Sequence, residues 1–482
     1  MTCSKEDDIT GSVDLQPGIY STVPTQGSTN VPINSVITAT FSEVMTPGSI
    51  NDTTFLVEPE IAGVVNYANK VATFTPTNPL PHGYQLTARV TKEVTDLAGN
   101  HMAADFVWGF STELALPDLW EKTYGQEDDE LAYAVVPMID GGFVVAGRTA
   151  SLGAGSNDAY LFKVNSGGIG SWETTFGGEF DDVAFALDVT PTFGFVLTGE
   201  SYSFEDSSLY IIRTNPTGGL LWDSAYGFNA GKAVAAGSDG SVTVAGHTDG
   251  FNSDPFVFST DSSGVMLFDS VYSGPSVPNS VRVQSIVGVS DGYVVAGQSG
   301  TTADIYLFKI DLVGNMLWQK TYGGSGDDAA SAIIATSDGG FVIAGATTSS
   351  GAGSSDALLM KLSAGGDSLW ALALGGSERE QAYAVVEATD GGFVLAGFTE
   401  SFGTSGRDVY LAKANASGVF QWQETYGHEG HEEARSLART NEGGYLIAGY
   451  TNSPTMSAGG FDIYLLKVNS RGQQPDALSS SP

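Results

Sequence analysis

The chain has 482 residues, enough for two or three domains with full cores. Its 55 Asp and Glu against 20 Lys and Arg leave a net charge of −35, which repels phosphate backbones and anionic headgroups and speaks against nucleic acid as a partner. One cysteine excludes a disulfide framework and a cysteine-based zinc site, and no run of about 18 apolar residues is present to span a bilayer.

That cysteine, Cys3, stands in "MTCSKEDD", ahead of weakly patterned residues reaching to 19. The stretch resembles the start of a mature bacterial lipoprotein, and "SKEDD" resembles the acidic export tag of surface lipoproteins in Bacteroidota. The resemblance implies that Cys3 is acylated, that residues 1–19 form a tether, and that the protein sits on the extracellular face of the outer membrane. Without acylation it would be secreted.

Residues 20–114 read as short strands with period-two alternation, punctuated by Pro, Gly and Asn, which predicts an all-β sandwich. "FSEVM" (41–45), "ATFTP" (72–76), "DLAGN" (96–100) and "WGFST" (108–112) follow one another as in bacterial Ig-like domains of the SbsA type, which this segment resembles. The resemblance implies a spacer or adhesive module. Asp96 and Asn100 are expected to hold a turn. His82 and His101 are assigned no role. A linker, 115–117, contains Pro117 and predicts a stiff connection.

From 118 to 471 the chain repeats. An aromatic residue recurs at Trp120, Trp172, Trp222, Phe268, Trp318, Trp370 and Trp422, and a glycine at Gly147, Gly199, Gly246, Gly297, Gly345, Gly397 and Gly449. A period near 50 with four strand signals per copy predicts a seven-bladed β-propeller. In "SDGGFVIAG" (337–345) the Asp-Gly-Gly predicts a tight hairpin, and the small Ala-Gly pair is expected where neighbouring sheets approach closely. The last copy lacks its aromatic strand while 118–125 supplies a spare one, so that strand is expected to complete blade 7. Residues 472–482 are expected to be a disordered tail. The repeat resembles glycine-rich propellers of Bacteroidota surface proteins and, more distantly, PQQ-like propellers that serve as assembly scaffolds.

Residues shared by all blades are expected to maintain the blade. Asp158, Asp254, Asp304, Asp356, Asp408 and Asp462 precede Lys163, Arg213, Lys309, Lys361, Lys413 and Lys467, either side of which neighbouring blades or turns could supply partners. Glu130, Asp182, Asp328, Glu380 and Glu432, with Asn229 and Ser280 in the remaining copies, stand before the first strand of each blade. They either ring one mouth of the channel, where clustered oxygens suit Ca²⁺, or cap their own loops. No other cofactor is indicated.

Two features break the symmetry. "YGHEGHEEARSLAR" (426–439) brings His428, Glu429, His431, Glu432, Glu433, Arg435 and Arg439 into blade 7. It resembles H-E-x-x-H, but in a β loop with the wrong histidine spacing for that zinc motif. Blades 3 and 4 lose acidity and carry Lys232 and Arg282, a candidate docking face. No nucleophile–base order or phosphate loop is present. The expected function is non-enzymatic: a surface lipoprotein that scaffolds a protein partner within an outer-membrane complex. The alternative is a glycan-binding or polysaccharide-degrading propeller, and a self-assembling surface layer is a third class.

Overall fold

The computed structural model describes residues 16–474 except 30, 60, 82–83, 113–118, 205–206, 228–229, 249–252, 275–279 and 301–302. Cys3, His82, Pro117 and Asn229 therefore lie outside the described residues, as does most of the predicted tether. The chain divides into two compact units, 1–116 and 117–482. Among the described residues both are all-β apart from one 3-10 turn, Pro47–Ser49. Among the described residues no helix is long and apolar enough to cross a membrane.

The first unit packs two antiparallel sheets. One orders its strands as Ile19–Val23, Ile37–Phe41, Val71–Pro76 and Gly63–Ala68; the other holds Phe55–Glu58, Gln85–Val90 and Phe106–Ser111. The predicted alternation is visible in Ile37–Phe41, where Ile37, Ala39 and Phe41 are buried among Phe55, Phe74 and Trp108. Buried Asp96 accepts the Ala98 and Asn100 amides at 2.8 Å each, which makes the "DLAGN" turn a side-chain cap.

The second unit is seven four-stranded antiparallel blades, the sixth and seventh joined into one sheet by a short parallel pairing of Gly406 and Arg407 with Gly430 and His431. Their first strands are Glu130–Pro137, Asp182–Val189, Gly231–Ala236, Val281–Val289, Asp328–Ala335, Glu380–Glu387 and Gly430–Arg439. Each contacts the first strand of the next blade, and the seventh contacts the first, so these strands line a closed ring. Blade 7 is completed by Trp120–Tyr124, which pairs antiparallel with Asp462–Val468 from Ile463↔Tyr124 to Lys467↔Trp120. A hydrophobic cluster of Trp120, Phe143, Val145, Leu446 and Leu465 then packs blade 7 against blade 1. Joining the two ends of the unit in this way leaves no open sheet edge at the seam.

Between blades the recurring aromatic residue lies on a glycine of the next blade's outer turn. A Cβ on Gly168 would meet the Trp120 ring at 2.9 Å, and one on Gly418 the Trp370 ring at 2.6 Å. The Trp120 and Trp222 indoles donate to Ser166 O and Ser262 O, and the Tyr124, Tyr226 and Tyr272 hydroxyls to Gly168 O, Gly264 O and Gly314 O. The last such contact lies beyond the predicted end of the propeller: Trp422 covers Gly472, and Tyr426 donates to Gly472 O.

The Asp of the hairpin between first and second strands has a further use, in the Asp-Gly-Tyr turn of blade 4 as in the Asp-Gly-Gly turns. The lysine of the third strand reaches back to its Asp: Lys309–Asp291 and Lys361–Asp338 are each 2.8 Å apart, and Lys163 pairs with Asp140. Hydrogen bonding to Lys361 holds the Asp338 carboxyl far below the usual carboxylate range. These pairs tie two strands of one blade together, whereas Arg213 reaches the next blade at Gly240 O.

Candidate functional site

Every first strand carries a β-bulge at the same place. The register against the second strand slips between Ala132 and Ala134, Ala184 and Ala186, Gly231 and Ala233, Val283 and Ser285, Ala330 and Ala332, Ala382 and Ala384, and Ala434 and Ser436. The residue inside each bulge is Tyr133, Phe185, Lys232, Gln284, Ser331, Tyr383 or Arg435. All seven line one cavity of about 990 Å³. A bulge re-aims a side chain that the ladder would otherwise hold in register, and here the ring sends one residue per blade into the channel.

The glycine ending each "AG" pair belongs to this device. A Cβ on Gly345 would stand 1.8 Å from Ala329 O, and one on Gly449 1.7 Å from Glu433 O. The carbonyl two residues before the bulged one occupies that space, so the glycine answers a close approach within its own blade. The alanine of the pair packs against the next blade, as expected, with Ala146 beside Phe195 and Ala344 beside Phe393; the glycine's own-blade contact is an addition to that expectation.

The backbone repeats but the side chains do not. From blade 6 through 7, 1, 2 and 3 the ring reads Tyr383, Arg435, Tyr133, Phe185, Lys232. The Arg435 guanidinium lies 4.1 Å from the Tyr383 ring centre and 5.9 Å from that of Tyr133; Tyr133 and Phe185 meet edge to face at 5.6 Å; Lys232 Nζ is 3.8 Å over Phe185. Blades 4 and 5 add only Gln284 and Ser331, with exposed Arg282 and half-buried Gln298, which are paired in register, beside them. Buried Glu433 supports the arc from behind. It accepts from Tyr450 at 2.7 Å, pairs with Arg407 and lies 3.5 Å from Arg435. Burial raises the Tyr383 phenol above its usual pKa and so keeps it a neutral donor.

Three predicted residues from two separate sets thus meet in the channel: Arg435, Lys232 and Arg282. The rest of the blade 7 set does not join them. His428 contacts Glu121 of the closing strand at 2.8 Å, His431 Nδ1 accepts the Arg407 amide, and Glu429 is exposed. Sequence reasoning missed Tyr133, Phe185, Gln284, Ser331 and Tyr383. Their signal was the "AG" glycine, which marks a bulge on the partner strand.

The acidic set does not form one ring of ligands. Glu130, Asp182, Asp328, Glu380 and Glu432 are all buried, and each caps its own loop. Glu130 accepts Thr149 Oγ1 at 2.7 Å and the Gln126 amide at 2.8 Å; Glu380 accepts Thr399 Oγ1 and the Gly376 amide, both at 2.7 Å; Asp182 and Asp328 each accept a glycine amide at 2.8 Å; Glu432 accepts the His428 amide at 3.0 Å. A loop amide and hydroxyl in hydrogen-bond reach claim each carboxylate before a shared ion could. Among the described residues no three acidic, histidine or cysteine side chains are placed to hold a metal.

Instead these carboxylates pair across blade seams with the aspartates that begin the third strands. Asp462 Oδ1 and Glu130 Oε2 lie 1.9 and 3.0 Å from where a Gly125 Cβ would stand, and Asp356 with Glu380 and Asp408 with Glu432 do the same around Gly375 and Gly427. Burial, and then the negative charge of the facing carboxylate, raise the Asp158 and Asp462 pKa values; burial raises that of Asp408. A carboxyl raised in the folded state binds more protons there than unfolded, so stability falls as the pH climbs from about 4 through the raised value, with the cost complete above it. Asp462→Asn places an amide against Glu130 and is expected to flatten this fall without destabilising the propeller at pH 7. Denaturation midpoints measured from pH 4 to 8 that are parallel for variant and wild type would refute the assignment.

Fold and site together define an all-β protein with an Ig-like sandwich and a seven-bladed propeller whose channel is asymmetric. Residues 14–112 match the family model described as a bacterial Ig-like domain. The regulatory protein FlaEY of Caulobacter vibrioides is 28% identical over 146 residues, 26% of this chain and 15% of that protein, so the chain spans under a fifth of that relative's length. Among solved structures the chain is similar to Sqt1 from Chaetomium thermophilum (10% identity, TM-score 0.44, covering 75% of this chain and 89% of that one). It is also similar to a protein of unknown function from Dyadobacter fermentans (12%, 0.40, 73% and 100%) and to an ulvan lyase of polysaccharide lyase family PL25 (11%, 0.46, 75% and 100%).

Proposed function

We propose that this is a non-enzymatic surface-binding protein of the Bacteroidota type. Cys3 carries its lipid anchor on the outer membrane, the Ig-like unit (SbsA-type in its motifs) is the spacer, and the propeller is a scaffolding subunit that grips its partner through the bulge ring. The observation that supports this reading is the bulge itself: seven equivalent backbone positions present seven side chains that share no common chemistry. A fold that needed those positions for its own stability would have repeated them, as it repeats the tryptophans. Among the described residues the cavity lining contains cations, amides, hydroxyls and rings but neither Asp nor Glu. That composition suits grip better than carboxylate acid–base hydrolysis.

Blade 5 already accommodates serine at its bulge, so replacing Tyr133, Phe185 and Tyr383 together by Ser alters the ring with little strain. Wild-type protein is expected to capture a stoichiometric partner or surface glycan from solubilised outer membranes, and the triple variant to lose it while keeping its unfolding temperature. Equal capture by both would overturn the reading, as would release of cleaved glycan by the wild type.

A further inference from the structure

We infer that the outer rim of blades 2 to 5 is a protein docking surface, which takes the apolar face of an amphipathic helix bordered by lysine or arginine. The inference concerns the rim and does not rest on the channel. From blade 1 to blade 6 each fourth strand carries a bulge just before its aromatic anchor. The register slips between Gly170 and Trp172, Leu220 and Trp222, Met266 and Phe268, Met316 and Trp318, Ser368 and Trp370, and Phe420 and Trp422. The extra residues are Ser171, Leu221, Leu267, Leu317, Leu369 and Gln421, and all six are exposed. Blades 1 and 6 fill the position with a polar residue, so the blade itself does not ask for an apolar one. Yet four successive blades present leucine: Leu221, Leu267 and Leu369 are each 58% exposed and Leu317 51%. Exposed apolar residues scattered singly need no explanation, whereas a contiguous row marks an interaction site.

The row is continuous because of the contact that joins the blades. Trp222, Phe268 and Trp318 each follow one leucine and lie on a glycine of the turn that leads to the next. They stand 3.4, 2.8 and 3.1 Å from where a Cβ of Gly264, Gly314 and Gly366 would be. Exposed Val265 and Val313 fill the first two of those turns. Charge and edge chemistry choose the occupant. In the turns and fourth strands of blades 2 to 5, residues 215–226, 261–272, 311–322 and 363–374, five aspartates stand against one lysine, Lys320. That lysine is itself paired with Asp367 at 2.7 Å. An anionic lipid surface, or a second copy of charge −35, meets this border with repulsion. Lysine or arginine beside an apolar stripe meets it with attraction. A partner strand would need a regular row of free amides and carbonyls along the edge; the bulge that sets each leucine outward interrupts that row. A helix asks only for side-chain contact and brings its apolar residues on one face.

The test is a binding titration of the full chain with a labelled amphipathic helix of leucine and lysine, and with a peptide of the same length and charge in which serine replaces every leucine. The helix is expected to bind at least tenfold more tightly than the serine peptide. Replacing Leu221, Leu267, Leu317 and Leu369 together by Gln, the residue blade 6 already carries there, is expected to remove that difference while the unfolding temperature stays at the wild-type value. Equal binding of the two peptides by the wild type, or unchanged binding of the helix by the quadruple variant, would overturn the docking surface. A leucine–glutamate helix that bound as tightly as the leucine–lysine one would overturn the charge argument. Sedimentation of the wild type as a dimer that the variant dissolves would assign the rim to a second copy. Flotation of the wild type with phosphatidylcholine vesicles, lost in the variant, would assign it to lipid, and either result overturns the proposal. The channel ring is tested apart from this, since the triple serine variant leaves every rim residue in place.

Discussion

Deletion of residues 118–125 is expected to abolish the propeller's cooperative unfolding transition, not merely to lower its midpoint. The deletion removes the strand Trp120–Tyr124, which is the outer edge of blade 7 although it precedes blade 1 in the chain. Three losses coincide. The ladder to Asp462–Val468 goes, leaving a long apolar strand open to pairing with other molecules. The Trp120 indole goes from its place on Gly168, along with the Tyr124 hydrogen bond to the same turn. The side-chain bonds that hold this strand inside blade 7, Thr123 Oγ1 to Met456 O and the Tyr464 hydroxyl to Glu121, go as well. Truncating one buried tryptophan costs about 3–5 kcal/mol, and domains are stable by only about 5–15 kcal/mol in all. The sum therefore approaches the whole stability of the unit. Trp120→Ala alone should lower the propeller's stability by about 3 kcal/mol or more. A deletion variant that remained monomeric and unfolded at the wild-type denaturant concentration would show that the ring is not closed by this strand.

Gly345→Ala should cost about 3 kcal/mol or more, although it adds a single methyl group. The new Cβ would stand 1.8 Å from Ala329 O, a backbone atom with no rotamer to escape into, so the strands must part or the bulge must be lost. Gly339 in the hairpin provides the contrast. Nothing lies within 4 Å of its Cβ position, and only its φ of +83° opposes a side chain, so Gly339→Ala should cost about 1–2 kcal/mol. Equilibrium denaturation of the pair measures the difference, and equal losses would refute the close-approach account. The same substitution at Gly397 or Gly449 should also displace Tyr383 or Arg435 and weaken whatever the channel holds.

The two experiments probe the features that differ most in how far the amino-acid order revealed them. The seven aromatic anchors, the period near 50, the spare strand at 118–125 and the Ig-like motifs were all legible, because each is a local pattern that repeats or matches. Blade number and closure follow from counting such patterns. The cap formed by Asp96 was legible for the same reason, since donor and acceptor lie within one five-residue turn.

What lay beyond the sequence was direction. Glu130 and Glu432 looked like members of a channel ring because loops before inner strands crowd together. Only the folded chain shows Thr149 and Thr451, each 19 residues away, turning those carboxylates back into their own blades. Lys232, Arg282 and Arg435 were candidates for two different surfaces, and it is ring closure that brings blades 3, 4 and 7 around one cavity. The bulge settles the rest. An ideal strand alternates sides with period two, so a one-residue slip changes which side chains face the channel. That slip is set by pairing with a strand more than ten residues away and by a glycine that leaves room for the carbonyl two residues before the bulged one. Strand content, blade count and the closing strand were thus determined by the sequence alone. Which seven residues meet in the channel was decided by tertiary pairing, because side-chain direction in a sheet depends on register.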